Sequence, residues 1–85
     1  MQEITIYSTK ICPYCDAAKR LLTQKGYAFK DVDLSNNSDL RMKLAAEQNG
    51  WRTVPMIFIG TNFVGGFTEL AALDKKGDLE KQVKS

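Results

Sequence analysis

The sequence predicts an α/β fold in which helices flank a four-stranded mixed sheet, in the order β-α-β-α-β-β-α. Three observations lead to this fold class. Short runs of β-branched and aromatic residues alternate with stretches whose apolar residues recur every three or four positions. Glycine, asparagine and proline separate these segments. The last two predicted strands are joined by only a few turn residues, so they are expected to form an antiparallel hairpin.

The first half of the chain predicts a strand, a helix and a second strand. Residues Ile4–Tyr7 alternate as strand residues do. Pro13 suits the first turn of a helix, whose apolar face continues to Lys25. Gly26 is expected to end that helix, and Ala28–Leu34 to form the second strand. Two strands joined through a helix are expected to be parallel, with a right-handed crossover.

The second half predicts a helix, a hairpin and a last helix. A loop rich in capping residues precedes the helix predicted for Ser38–Gln48. The apolar run Met56–Ile59 predicts a buried strand, and Phe63–Val64 a short return strand. Thr68 is expected to cap the last helix. Leu79–Val83 predicts one weak further turn before a frayed polar tail.

Composition and charge narrow the class of protein. The 85 residues are expected to form one domain, 1–85, with a formal net charge of +2. This balance does not favour a nucleic-acid partner, whose binding surface is usually strongly basic. Neither a membrane-spanning run nor a signal peptide is visible in the sequence. We therefore expect a cytoplasmic protein with neither nucleic-acid nor membrane partners.

The two cysteines of the chain are predicted to be catalytic. They stand in the sequence Cys12-Pro13-Tyr14-Cys15, and so short a loop gains little stability from a bridge. Cys12 precedes the first helical turn, where free N–H groups and the helix dipole favour a thiolate, and Lys10 adds to this effect. Cys15 should be more buried. Cys12 is therefore expected to attack a disulfide, and Cys15 to resolve the mixed disulfide.

A structural disulfide and half of a metal site are the alternatives for this pair. The chain has no histidine, so it cannot form a Cys/His catalytic dyad or a Cys/His zinc site. A structural zinc ion needs four ligands, and one chain supplies two cysteines. Two chains could share a metal, but no metal is expected in one chain.

Three segments in order resemble the glutaredoxin family of the two-cysteine kind. They are Cys12-Pro13-Tyr14-Cys15, Thr53-Val54-Pro55, and Gly65-Gly66 followed by Phe67-Thr68-Glu69-Leu70. The resemblance extends from Ile4 to about Leu79. It implies a thioredoxin fold, a cis peptide bond before Pro55, and glutathione-dependent thiol–disulfide oxidoreductase activity.

The resemblance also implies a glutathione site. The backbone of Val54 would pair with the cysteine of glutathione, and the N–H groups of Phe67 and Thr68 would hold its γ-glutamyl carboxylate. Tyr14 would flank its sulfur, whereas Trp51 could cover the core edge or contact the ligand. The implied contact residues are Lys10, Tyr14, Thr53, Val54, Pro55, Gly66, Phe67 and Thr68.

The sequence departs from the family pattern at positions that would contact the ligand. Many members have lysine three residues before the first cysteine, where this chain has Thr9 followed by Lys10. A second polar contact aligns with Met42. Glu69 stands where members often carry aspartate, and could face the ligand's amino group or only stabilise the helix. We expect Lys10 to act on the acidity of Cys12 more than through an ion pair with glutathione.

Glutathione is thus the expected reductant and co-substrate of a monomer. Protein disulfides or glutathionylated proteins are the expected substrates, and the family alone implies ribonucleotide reductase. One alternative is a redoxin reduced by thioredoxin reductase, which would usually carry a Trp-Ser-Gly-Phe-Arg-Pro segment absent here. The other is a dimer that shares a [2Fe–2S] cluster through Cys12 of each chain and two glutathiones. Pro13 argues against that dimer, because cluster-binding members usually lack this proline.

Overall fold

Four strands and four helices make up the structure, a computed structural model that describes residues 2–84. The elements in chain order are β1 (Ile4–Ser8), α1 (Pro13–Gln24), β2 (Lys30–Asp33), α2 (Ser38–Glu47), β3 (Met56–Ile59), β4 (Asn62–Gly65), α3 (Phe67–Lys76) and α4 (Asp78–Lys84). Among residues 2–84, no helix is both long and apolar enough to cross a bilayer.

The sheet is mixed, with the strand order β2-β1-β3-β4. β1 runs parallel to β2 and antiparallel to β3, and β3 forms a hairpin with β4. The register places Ile6 of β1 opposite Ile57 of β3. The predicted parallel pair and the predicted hairpin are therefore both confirmed. This topology puts the end of β1, which leads to the cysteine pair, beside the start of β3.

The main core lies on the face of the sheet that α1, α3 and α4 cover. Alternate residues of β1 point into it, as the period of two along a strand requires. Every third or fourth residue of α1 faces it from the helix side. The buried side chains of this core are Ile4, Ile6, Ala18, Leu22, Ile57, Ile59, Leu70, Leu79 and Val83.

A smaller core lies on the opposite face of the sheet. Leu34, Leu44 of α2 and Met56 are its buried members. Aromatic side chains pack around them, including Trp51 just before β3 and Phe63 of β4. Helices therefore cover both faces, as the sequence predicts for this fold class.

Two predicted elements differ from the structure by more than one residue at an end or in type. β2 covers Lys30–Asp33 rather than Ala28–Leu34, because β1 offers it partners only from Thr5 to Ser8. The residues at Leu79–Val83 belong to a seven-residue helix, not to a weak turn. Leu79 and Val83 are each 1% exposed in the main core, and this burial stabilises a helix too short to form alone. The helix extends to Lys84, where the sequence predicts a frayed tail. The last residue of that predicted tail, Ser85, lies outside the described residues.

The predicted cap of the last long helix is also wrong. α3 begins at Phe67 with Gly66 as its N-cap, so Thr68 lies inside the first turn. The carboxylate of Glu69 accepts a hydrogen bond from the Gly66 N–H at 2.8 Å. This bond from the third helical residue satisfies the N–H of the N-cap residue, whereas no side chain of the N-cap bonds to the first turn.

Candidate active site around the cysteine pair

Cys12 and Cys15 form a disulfide at the N-terminus of α1, with their Cα atoms 5.2 Å apart. Cys12 is the N-cap residue, and its sulfur accepts a hydrogen bond from the Cys15 N–H at 3.1 Å. Cys12 is 8% exposed and Cys15 is 0% exposed. The predicted helix position and the predicted burial of Cys15 are confirmed. Cys12 is therefore the more exposed cysteine of the pair, and Cys15 is fully buried.

The loop before β3 lies directly against the cysteine pair. The sulfur of Cys12 is 3.7 Å from the carbonyl oxygen of Val54. The peptide bond between Val54 and Pro55 is cis, as the family resemblance implies. Pro55 is buried, and the contact with the sulfur is made by a backbone atom, the carbonyl oxygen of Val54.

A cavity of about 370 Å³ adjoins this contact. It is lined by Tyr14, Trp51, Thr53, Val54, Pro55, Gly66, Phe67, Thr68 and Glu69. The three segments that carry the family resemblance therefore meet in space. Every predicted ligand-contact residue except Lys10 lines the cavity. Tyr14 is 64% exposed, and its ring stacks on that of Phe67 with the centroids 6.3 Å apart.

The N-terminus of α3 lines one end of the cavity, which we call the inner end. Its N-cap, Gly66, has no side chain, so the cap supplies no side-chain acceptor for the N–H groups of the first turn. A Cβ at Gly66 would lie 3.6 Å from the Pro55 carbonyl oxygen and 3.8 Å from the Trp51 ring. The glycine therefore keeps this end open, and the positive end of the helix dipole faces into it.

Glu69 is the one charged residue among those that line the cavity in the described part of the chain. Its Oε1 atom accepts the hydrogen bond from Gly66, so the side chain lies back over the N-terminus of α3. The two roles left open for Glu69 in the sequence are therefore compatible. The residue caps the helix, and it also places a negative charge at the cavity.

Trp51 covers the smaller core and also lines the cavity, so its position is compatible with both roles that the sequence leaves open. Its ring packs edge-on against Phe63 with centroids 5.2 Å apart, which covers the smaller core. The same ring lines the cavity and separates it from an adjoining cleft of about 580 Å³ that Arg52 also lines. The indole Nε1 is buried and has no hydrogen-bond partner among the described residues. In the sequence, the signal for this wall of the cavity is the aromatic residue Trp51, two positions before Thr53.

Lys10 and Met42 lie away from the cavity. Lys10 lines a separate polar cleft of about 180 Å³ together with Thr9. Its backbone N–H donates a hydrogen bond to the Ser35 hydroxyl oxygen at 2.9 Å. Hydrogen bonds from Ser35 lower the pKa of Asp33 below its ordinary value, with a smaller contribution from the charge of Lys10. Met42 is 70% exposed on α2. The structure thus brings neither residue to the cavity.

Comparison with known proteins identifies the family. The sequence model of the glutaredoxin family matches residues 4–64, which includes the cysteine pair, the cis-proline loop and most of the sheet. The chain belongs to the glutaredoxin family. Its resemblance to glutaredoxins, inferred from three short segments, is therefore confirmed over most of its length.

Individual glutaredoxins match nearly the whole chain. Glutaredoxin 3 of Escherichia coli K12 is 38% identical over 84 residues, which are 99% of this chain and 100% of that protein. The solution structure of a Brucella melitensis glutaredoxin has a TM-score of 0.86 at 39% identity, and the match covers 100% of this chain and 94% of that one. A buckwheat glutaredoxin solved in complex with glutathione has a TM-score of 0.84 at 30% identity, covering 95% and 76%.

These matches confirm the thioredoxin fold and support thiol–disulfide oxidoreductase chemistry at the cysteine pair. The site has two features that suit such chemistry, a sulfur at a helix N-terminus on the more exposed cysteine and a second cysteine that is fully buried. Within residues 2–84, no three His, Cys, Asp or Glu side chains are grouped as metal ligands.

Proposed function

We propose that the chain is a glutathione-dependent oxidoreductase that reduces protein disulfides and mixed disulfides of glutathione. The observation that carries this proposal is the position of the Cys12 sulfur, 3.7 Å from the Val54 carbonyl oxygen beside the 370 Å³ cavity. A cavity of this size suits a ligand of a few residues. A helix N-terminus that suits an anion lines it, and so does Val54, whose carbonyl oxygen contacts the Cys12 sulfur.

In the proposed complex, each part of glutathione has a defined partner. The backbone of Val54 pairs with the cysteine of glutathione and directs its sulfur towards Cys12. The N–H groups of Phe67 and Thr68 hold the α-carboxylate of the γ-glutamyl group. Glu69 lies beside them and faces the α-ammonium group of the same residue. Tyr14, Thr53, Pro55 and Gly66 form the remaining walls, and Lys10 acts from outside the cavity on the Cys12 thiolate.

The reaction with a glutathionylated protein needs only Cys12. Its thiolate attacks the glutathione sulfur, forms a disulfide with it and releases the protein thiolate, which takes up a proton. A second glutathione thiolate then attacks the sulfur of the bound glutathione. This step releases glutathione disulfide and restores the Cys12 thiolate, so one free glutathione is consumed and the other half of the glutathione disulfide comes from the substrate.

The reaction with a protein disulfide uses both cysteines. Cys12 attacks one substrate sulfur, and the other sulfur leaves as a thiolate. Cys15 then attacks the Cys12 sulfur, which releases the reduced substrate and forms the disulfide seen here. Two glutathiones reduce that disulfide. In this proposal the protein acts as a monomer in the cytoplasm, where glutathione keeps thiols reduced, and ribonucleotide reductase is one candidate recipient.

A coupled assay tests the proposal. The protein is mixed with glutathione, glutathione reductase, NADPH and a glutathionylated peptide, and NADPH oxidation is followed by absorbance. We expect turnover that depends on both glutathione and the protein. The C12S substitution should abolish this turnover, whereas the C15S protein should retain it. Turnover without glutathione when thioredoxin reductase replaces glutathione reductase would instead indicate a thioredoxin-reductase-dependent redoxin. Visible absorption bands in anaerobically purified protein would indicate a shared [2Fe–2S] cluster.

A further inference from the structure

Among the large apolar side chains of residues 2–84, the most exposed one lies directly beside Cys12. Ile11 is 94% exposed and precedes Cys12 in the chain. A single exposed apolar residue needs no explanation in general. The position of Ile11 distinguishes it, because every substrate must approach the sulfur of the neighbouring residue. Met42 is also apolar and 70% exposed, but it lies on α2, away from the cysteine pair.

Disulfide geometry brings a polypeptide substrate to Ile11. In a mixed disulfide, the Cα of the substrate cysteine lies about 5.5 Å from the Cα of Cys12. The Cα of Ile11 lies about 3.8 Å from the same atom. The Cα atoms of Ile11 and of the substrate cysteine are therefore at most about 9 Å apart, a separation that two side chains facing each other can bridge. An apolar residue there would be buried against Ile11, whereas a polar one would lose water without gaining a partner.

Glutathione lies elsewhere in the proposed complex. The cavity is lined by the loop before β3, by the N-terminus of α3 and by Tyr14, and Ile11 is not among its lining residues. The two sides of the disulfide therefore present different surfaces. One is the cavity, which suits a small anionic ligand, and the other is the almost fully exposed side chain of Ile11.

We propose that Ile11 is a specificity-determining residue for polypeptide substrates and selects disulfides whose cysteines have apolar neighbours. This inference rests on the proposed reduction of protein disulfides. In the step concerned, the Cys12 thiolate attacks a substrate sulfur and the second substrate sulfur leaves as a thiolate. Cys15 then releases the substrate, so two electrons pass from the cysteine pair to the peptide. Ile11 acts on the first step, in which the peptide must dock.

A single-turnover experiment tests this selection without glutathione. Fully reduced protein is mixed with one of two cyclic peptide disulfides that differ only in having leucine or serine beside both cysteines. Each rate constant is divided by that of dithiothreitol with the same peptide, which removes differences in intrinsic reactivity. We expect the unmodified protein to prefer the leucine peptide about fivefold. This factor corresponds to about 1 kcal/mol, or about 40 Å² of buried apolar surface.

Three variants make the test specific. Ile11→Ser should reduce the preference to less than about twofold, while glutathione turnover in the coupled assay stays unchanged when the mixed disulfide of glutathione and cysteamine, which carries no peptide, replaces the glutathionylated peptide. Ile11→Val should retain most of the preference. Met42→Ser is the matched control, because it removes an exposed apolar side chain elsewhere and should retain the full preference.

The outcomes separate this inference from the proposed function. If the unmodified protein shows no preference, or if Ile11→Ser keeps it or slows glutathione turnover equally, Ile11 does not select substrates. If the peptide preference depends on Ile11 but the coupled assay shows no glutathione turnover, the inference stands and the glutathione proposal fails.

Discussion

The sulfur of Cys12 lies 3.7 Å from the carbonyl oxygen of Val54, although 42 residues separate them in the chain. The contact arises because β1 and β3 are antiparallel neighbours, so the loop after β1 and the loop before β3 lie at the same end of these two strands. Cys12 is the N-cap of α1 and follows the first loop, and Val54 belongs to the second loop. The reactive sulfur and the backbone proposed to receive its ligand are therefore positioned by one pair of strands.

Gly66→Ala should weaken glutathione binding without unfolding the protein. The new Cβ would have ordinary contacts, 3.4 Å from the Glu69 carboxylate and 3.6 Å from the Pro55 carbonyl oxygen, but it would occupy the inner end of the cavity. We expect the KM for glutathione to rise about fivefold or more, with the midpoint of thermal unfolding nearly unchanged.

Gly65→Ala is the control for that experiment. Gly65 has a φ of 121°, and a Cβ there would lie 2.9 Å from the Glu69 side chain. This variant should lose about 1–3 kcal/mol of unfolding free energy. A Gly66→Ala protein with an unchanged KM would show that glutathione does not occupy the inner end of the cavity.

Glu69→Gln should raise the KM for glutathione about threefold while it preserves the helix cap. The amide oxygen can still accept the hydrogen bond from the Gly66 N–H, but the negative charge proposed to face the ligand's ammonium group is lost. The dipeptide cysteinylglycine, which lacks the γ-glutamyl group, serves as the control thiol in the same assay. An equal rise in KM for both thiols would mean that Glu69 does not recognise the γ-glutamyl group.

Leu79→Ala should destabilise the protein by about 2–4 kcal/mol, because Leu79 of α4 is 1% exposed in the main core. Urea unfolding followed by circular dichroism measures this change. Lys81→Ala, on the exposed side of the same helix, should change the unfolding free energy by less than about 0.5 kcal/mol. Similar losses in the two variants would contradict the packing of α4 through Leu79.

The pKa of Lys25 should lie above its ordinary value of 10.5, because its ammonium group hydrogen-bonds to Asp74 of α3 at 2.9 Å and is attracted by its charge. A raised pKa in the folded state stabilises the fold below the unfolded-state pKa, and this contribution disappears as the pH rises through the folded-state value. Asp74→Asn should return the pKa of Lys25 towards 10.5, as measured by NMR titration of the lysine side chain.

Lys84 provides the internal control for that titration. Its pKa is raised by a hydrogen bond to Glu80 and by the charge of that residue, and not by Asp74. It should therefore stay raised in the Asp74→Asn protein. If the pKa of Lys25 does not change while that of Lys84 stays raised, Lys25 and Asp74 are not paired in solution.

Local patterns in the sequence were enough to predict most of the elements and the chemical centre. Strand alternation, the proline that begins α1 and the glycine that follows it are short-range signals, because each acts on the backbone within a few residues. α4 was underestimated, since a seven-residue segment has little helical tendency of its own. Its stability comes from Leu79 and Val83 in a core formed by distant strands, which no local pattern reveals.

The sequence by itself determined the reactive pair, its place at a helix N-terminus and the family to which the chain is similar, because these depend on residue types at fixed short spacings. Only the tertiary structure decided what surrounds that pair. Strand pairing brought Val54 to Cys12, and the packing of α3 brought Gly66 and Glu69 to the same cavity. Lys10, two residues from Cys12 in the sequence, lies in a different cleft. Nearness along the chain fixes the backbone path but not the direction of a side chain, and the directions of side chains define a binding site.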